Sequence, residues 1–106
     1  MRKHKYGAKG CVVDGIKFPS IKEGRRYREL KVLQAGGLIT ELQLQPSFRL
    51  IVEGKLICIY RPDFRYLTAE SPKPVIEDVK GYRTRDYIIK AKLFQALYPE
   101  FRFIET

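Results

Sequence analysis

Tryptophan is absent from this 106-residue chain, histidine occurs once, cysteine twice, and acids fall well short of bases. Each shortage excludes something. His4, Cys11 and Cys58 cannot complete a four-ligand zinc site without carboxylates, and their spacing fits no zinc pattern. The basic N-terminus is followed by YGAKG and not by an apolar leader, so the two cysteines read as free thiols of a cytoplasmic protein. Apolar runs such as LIV at 50–52 and LICIY at 56–60 stop far short of the roughly 20 residues that span a bilayer. No internal repeat or low-complexity stretch breaks the chain into parts.

What remains is a single domain with an ordinary hydrophobic share, 44%, enough for one core. Its charge is not ordinary. Twenty-one lysines and arginines against 12 acids give a formal +9, which favours a polyanionic partner: nucleic acid first, an anionic membrane surface second. The membrane reading is disfavoured, because the basic residues accompany no long amphipathic helix with an exposed apolar face. The first ten residues carry Arg2, Lys3, Lys5 and Lys9 with no acid and read as a flexible basic arm; residues 11–106 form the domain proper.

Local patterns predict the elements. VVDGIKF is a short strand-turn segment around Asp14-Gly15. SIKE, with Ser20 followed by Glu23, is a capping-box pattern that opens a helix running to about Gln34 and stopping at Gly36-Gly37. Spacing by three and four puts Glu23, Tyr27, Leu30 and Gln34 on one helical stripe, with Gly24 permitting close approach. LQLQPSFRLIVE alternates as one half-exposed strand, with Leu42, Leu44, Phe48, Leu50 and Val52 on one side and Pro46 marking an edge or bulge. After a turn at Glu53-Gly54-Lys55, KLICIYRPDFRYL predicts a strand covered on both faces. TAESPKP reads as a loop, VIEDVKG as a strand, Thr84 as the cap of a helix through Tyr98, and FRFIE as a final strand. The resulting order, α-β-β-β-α-β, predicts an α/β fold with a mixed sheet flanked by helices.

Charged residues inside two such strands are the anomaly, because buried charges need partners or a metal. Side chains alternate along a strand, so Asp78 and Lys80 share one face, and Glu77 and Val79 the other. If the RPDFRY strand lies beside VIEDVKG, Asp63 stands next to Asp78. Two adjacent carboxylates repel, and Mg2+ relieves that repulsion while using waters and phosphate oxygens for its other ligands. Acid-x-Lys triplets are common in a lysine-rich chain, and Glu29-Leu30-Lys31 and Glu53-Gly54-Lys55 also occur. Only Asp78-Val79-Lys80 combines a strand with an upstream Pro-Asp. Glu23 on the buried helical stripe supplies a further carboxyl, or serves only to complete the helix cap with Ser20.

With KYG near the start, VDGIKFPSIKEGRRYREL, LQPSF, PDFRY, EDVKG and a helix ending in YP, the chain resembles, over nearly its whole length, small phage-encoded proteins of the PD-(D/E)xK nuclease superfamily. That resemblance implies a restriction-endonuclease-like core acting in the host cytoplasm. Asp63, Asp78 and Glu23 would be carboxylates at a metal, and Lys80 the catalytic lysine. Mg2+ or Mn2+ would support hydrolysis of phosphodiester bonds in DNA, including branched DNA such as four-way junctions. Lys80 would orient or deprotonate the attacking water, or stabilise charge on the phosphate.

DNA contacts are then expected from Arg2, Lys3, Lys5 and Lys9, from Lys22, Arg25 and Arg26 near the start of the first helix, from Arg83 and Arg85 after the metal strand, and from Lys90 on the second helix. A domain this small that cuts two strands would, by analogy, work as a homodimer. The competing expectation is a DNA-binding or assembly factor that keeps the fold without turnover.

Overall fold

A computed structural model of the protein describes residues 9–106. The expected contacts at Arg2, Lys3 and Lys5, most of the expected basic arm, and His4 lie outside the described residues; Lys9 is exposed ahead of the first strand. The element order is β1 (Cys11–Val13), β2 (Ile16–Phe18), α1 (Ile21–Ala35), β3 (Ile39–Leu44), β4 (Phe48–Val52), β5 (Lys55–Tyr60), β6 (Phe64–Thr68), β7 (Ser71–Asp78), α2 (Arg85–Leu97) and β8 (Arg102–Glu105).

The helices follow their caps. Ser20 Oγ accepts from the Glu23 N–H at 3.1 Å, and Thr84 Oγ1 accepts from the Tyr87 N–H at 3.1 Å. At the end of α1, Gly37 adopts φ 78° and donates to the Gln34 carbonyl, while Leu38 donates to Leu33, which satisfies carbonyls that the helix leaves open. Asp14-Gly15 and Glu53-Gly54 both adopt positive φ, as two-residue hairpin turns require, and they close β1–β2 and β4–β5.

Four strands form a mixed sheet in the order β3-β6-β7-β8, antiparallel except for the β7–β8 pair. The parallel pair is joined through α2, as a crossover demands. Val75 and Ile76 point to opposite faces of β7 and mark two cores. Val75 and Val79 pack with Phe64, Tyr66 and the α1 residues Tyr27 and Leu30. Ile76 packs with the α2 residues Tyr87, Ala91 and Phe94 and with Phe48, Leu50 and Tyr60 of the β4–β5 hairpin. On that side Phe94, fully buried, contacts the rings of Phe48, Tyr60 and Tyr98, an aromatic cluster in which each pair adds roughly 1 kcal/mol beyond its area.

The order differs from expectation because both long runs read as single strands break at proline. LQLQPSFRLIVE is not one strand: the chain leaves β3 at Gln45, with φ 48°, and Pro46 separates it from β4. KLICIYRPDFRYL divides at Arg61-Pro62-Asp63 into β5 and β6, which belong to different sheets. Proline has no N–H for a ladder, and the two breaks lie side by side, joined by Gln45 N–H to the Asp63 carbonyl at 2.9 Å. Five strands therefore separate the helices where three were expected. β5 is not covered on both faces: Leu56, Ile57 and Ile59 are 47%, 56% and 38% exposed, because α2 covers only one face of the hairpin. TAESPKP is not all loop, since β7 begins at Ser71. Its prolines 72 and 74 fall where the pairing with β6 skips register and before β8 joins at Val75, so no ladder donor is needed from them.

Gly24 packs α1 onto β1. A Cβ there would stand 2.3 Å from Cys11 Sγ and 3.3 Å from a Val13 methyl carbon. Gly24→Ala removes a helix-interior glycine, which alone would add about 1 kcal/mol, yet crowding is expected to win and lower stability by about 1–3 kcal/mol. Thermal denaturation of Gly24→Ala, with Cys11→Ala added to restore part of the loss, measures this. A melting temperature at or above wild type in the single variant would show that Cys11 yields without cost.

Candidate functional site

β7 buries two acids in succession, and alternation sends them to opposite faces of the sheet. Glu77, 0% exposed, faces α1. Its carboxylate accepts from Arg26 Nε at 2.6 Å and Nη2 at 3.1 Å, from the Tyr66 hydroxyl at 2.7 Å and from Thr106 Oγ1 at 2.8 Å. Burial of an ion pair is tolerable only with hydrogen bonds of this quality. The Glu77 carboxylate in turn raises the Arg26 pKa above its ordinary value. This set is structural, locking α1 and the C-terminus to the sheet.

Asp78, 1% exposed, is treated differently. The Tyr60 hydroxyl donates to Oδ2. Oδ1 has no hydrogen-bond partner among the described residues; Lys80 Nζ lies 3.4 Å away, close enough for attraction but not aligned as a donor. The Lys80 ammonium sits 4.5 Å over the Tyr87 ring, which holds its direction.

Asp63 reaches this place because β5 stops at Tyr60, ahead of the Pro62 break, and β6 starts at Phe64, directly after Asp63. The register Phe64↔Glu77 sets Asp63 opposite Asp78. Asp63 Oδ2 accepts from the Val79 N–H at 2.7 Å, just past the end of β7. From the first turn of α1, Glu23 turns inward, 5% exposed, and its carboxyl meets Asp63. Ser20 is thus the cap, while the Glu23 side chain belongs to the acid cluster. The four residues expected from the pattern, Glu23, Asp63, Asp78 and Lys80, come together at one end of the sheet.

Proximity and burial shift their titration. Burial is the main cause of the rise of Asp78 to about 7, reinforced by Asp63 and opposed by the Tyr60 hydrogen bond and by Lys80. Burial likewise pushes Asp63 up to about 6, opposed by its bonds to Asp78 and to the Val79 N–H and reinforced by Glu23. Glu23 is raised by burial and by the Asp78 charge, against its bond to Asp63 and the attraction of Lys80. The carboxyls of Asp78, Asp63 and Glu23 crowd one another, which opposes full deprotonation of the row. In this arrangement the acids meet one another, and among the described residues no group of three or more His, Cys, Asp or Glu is set as a ready metal site. The donors themselves suit a hard divalent cation: they are all carboxyl oxygens, and one of them, Asp78 Oδ1, is buried and unpartnered. Asp63, Asp78 and Glu23 could hold such an ion once deprotonated.

The expected DNA contacts fall into groups. Arg25 and Arg85 are exposed. The Lys22 ammonium donates to the carbonyls of Lys80 and Thr106 at 2.9 and 3.1 Å, bracing the strand ends beside the acids. Arg26 is engaged by Glu77 and Glu29, and Arg83 pairs with Glu105 at 3.1 Å. Lys90 lines a cleft of ≈ 320 Å³ with Lys80 and Asp78. The sequence reading missed Tyr60, Tyr66 and Arg61. Tyr60 ends β5 and Tyr66 lies in the middle of β6, so both look like core in any pattern, while Arg61 carries no signal beyond its place before Pro62-Asp63. Among the described residues no helix is long and apolar enough to cross a membrane.

The chain belongs to the family described as "Protein of unknown function (DUF1064)", whose model matches residues 3–105. Comparisons with curated proteins and with solved structures gave no match.

Raised carboxyl pKa values mean that the folded protein binds more protons than the unfolded chain between about pH 4 and 7. Stability then falls as pH rises through that window. In chelator, urea unfolding is expected to lose roughly a few kcal/mol between pH 5 and 8. Asp78→Asn should flatten that slope and raise stability at pH 8, whereas Arg26→Ala, which strands Glu77, should cost about 3–5 kcal/mol. Wild-type stability that rises from pH 5 to 8 would contradict the assignment.

Proposed function

We propose that the protein is a divalent-metal-dependent endodeoxyribonuclease with a PD-(D/E)xK core, hydrolysing phosphodiester bonds in DNA. The observation that carries this reading is the unpartnered buried oxygen of Asp78, set among Asp63, Glu23 and Lys80 on a chain of net charge +9. A structural acid on the same strand, Glu77, is fully bonded, so a half-bonded Asp78 has another use. The order of parts supports the superfamily assignment: Glu23 on α1, Asp63 just before β6, Asp78 at the end of β7 with Val79 and Lys80 directly after it, then α2 against the sheet.

Bound Mg2+ or Mn2+ would make a water more acidic and offset charge on the phosphate. The chain's own groups do the rest. Asp63 and Asp78, once deprotonated, would hold the ion, with Tyr60 fixing the Asp78 carboxyl through Oδ2. Val79 N–H fixes Asp63 from the opposite side. Glu23 would be a further carboxylate holding the ion, or would accept a hydrogen bond from the attacking water. The Lys80 ammonium, held over Tyr87, faces the phosphate and stabilises the charge that grows there, or orients the attacking water. DNA is the polyanion that the charge suits, with Arg25, Arg85 and Lys90 as exposed or cleft-lining contacts. Branched DNA is the narrower substrate class, and a homodimer would place two such sites on two strands.

The second reading, a DNA-binding or assembly factor without turnover, draws on the mutual contact of the three acids, which suits proton sharing as it stands. One assay separates them. Linear duplex, single-stranded and four-way-junction DNA are incubated with Mg2+, Mn2+ or chelator. Cleavage should require the ion, and Asp63→Asn or Lys80→Ala should each cut the rate by about 10²–10⁴-fold while DNA binding persists. A junction rate well above the duplex rate marks a resolvase. Cleavage untouched by chelator or by both substitutions would sink the nuclease reading; tight binding with no cleavage under any ion favours the second.

A further inference from the structure

A cleft of ≈ 320 Å³ opens beside the acid cluster, between the end of β5 and the first turns of α2. Arg61, Lys80 and Lys90 line it, with Tyr87 and the buried Asp78 at its inner wall and Asp86 at its rim. Three cations around one opening repel each other. Among the described residues neither Arg61 nor Lys90 has an acidic partner within ion-pair range, and Lys80 has only Asp78. Asp86 stands in the first turn of α2, where a negative charge suits the helix end. Three cations against the two acids Asp78 and Asp86 leave the cleft with a positive balance that favours an anion. Two groups, Asp78 and Lys80, line the cleft and also belong to the acid cluster, so cleft and cluster are one continuous surface.

We infer that this cleft seats a second phosphate of the bound strand, held by Arg61 and Lys90 next to the phosphate that lies at Asp63 and Asp78. The inference rests on the nuclease reading for the position of the first phosphate, but the cleft's affinity for a nucleic-acid backbone does not depend on turnover. Arg61 suits the task through its planar fork, which meets two phosphate oxygens at once, and Lys90, half-buried on α2, adds a point charge. Arg61 directly precedes Pro62-Asp63, so the rigid break that places the metal-side acid also fixes the backbone from which the arginine reaches. The two phosphates are thereby registered against each other by three consecutive residues. The substrate is a polynucleotide strand and not an isolated phosphodiester.

The test uses the full-length protein in chelator, so that nothing is cut. Binding of a fluorescein-labelled 20-nucleotide single strand is followed by anisotropy across a salt series, for wild type, Asp63→Asn, Arg61→Ala/Lys90→Ala and the charge-conserving Arg61→Lys/Lys90→Arg. Circular dichroism checks that each is folded. Loss of two phosphate contacts should make the slope of log affinity against log salt shallower by roughly 1.4 in the alanine pair, with the charge-conserving pair keeping the wild-type slope. Asp63→Asn, which removes a carboxylate and no cation, should not make the slope shallower. An alanine pair that keeps the wild-type slope, or a wild type that does not bind, overturns the inference, whatever the cleavage assay gives. A shallower slope in a protein that never cuts DNA supports the cleft as a phosphate seat and removes only the nuclease reading.

Discussion

A carboxylate taken out of water must find partners, and β7 buries two of them in succession on opposite faces of one sheet. The structure solves the problem once and leaves it open once. On the α1 side Glu77 gathers a bidentate arginine, a tyrosine and a threonine, and those four contacts tie the first helix, the sheet and the C-terminus into one body. On the α2 side Asp78 keeps one oxygen without a donor among the described residues, and its neighbours are more acids. The contrast argues against a purely structural role for Asp78. The protein demonstrably has the means to satisfy a buried acid, since it does so at the adjacent residue.

Placement of the remaining groups follows from two prolines. Pro46 and Pro62 end ladders at neighbouring points, and the short unpaired segment between β5 and β6 frees Asp63 to turn its carboxyl toward the end of β7. The same interruption sends β4 and β5 out as a separate hairpin, from which Tyr60 returns to orient Asp78 and Arg61 lines the cleft. Gly24 then matters because it lets α1 lie close to β1, which sets the depth at which Glu23 enters the cluster. Fold and site are coupled through these few positions, and the high charge of the surface supplies the attraction that brings a polyanion to them.

Much of this was legible in the sequence where the rule is local. Period-two alternation put Asp78 and Lys80 on one face, helical spacing turned Glu23 inward, and Ser20, Thr84, Gly37 and Glu53-Gly54 marked element ends by their own conformational preferences. What was not legible is long-range. The Arg26–Glu77 pair joins residues far apart in the chain, so Arg26 read as a surface cation for DNA. A continuous apolar run such as LICIY has the same pattern whether both faces or one are covered, and only the hairpin's position decides it. Proline announced a disturbance at 46 and 62, but whether a strand bends or leaves its sheet depends on what it can pair with elsewhere.

The central claim is that Asp63 and Asp78 form the two sides of a cation site. Crystals grown with Mn2+ and measured at a wavelength where manganese scatters anomalously test it most directly. The account predicts an anomalous peak about 2 Å from a carboxylate oxygen of each aspartate, with the bond between the two acids broken by the ion. A structure at saturating Mn2+ in which the acids remain bonded to one another, with manganese only at other sites, would contradict it.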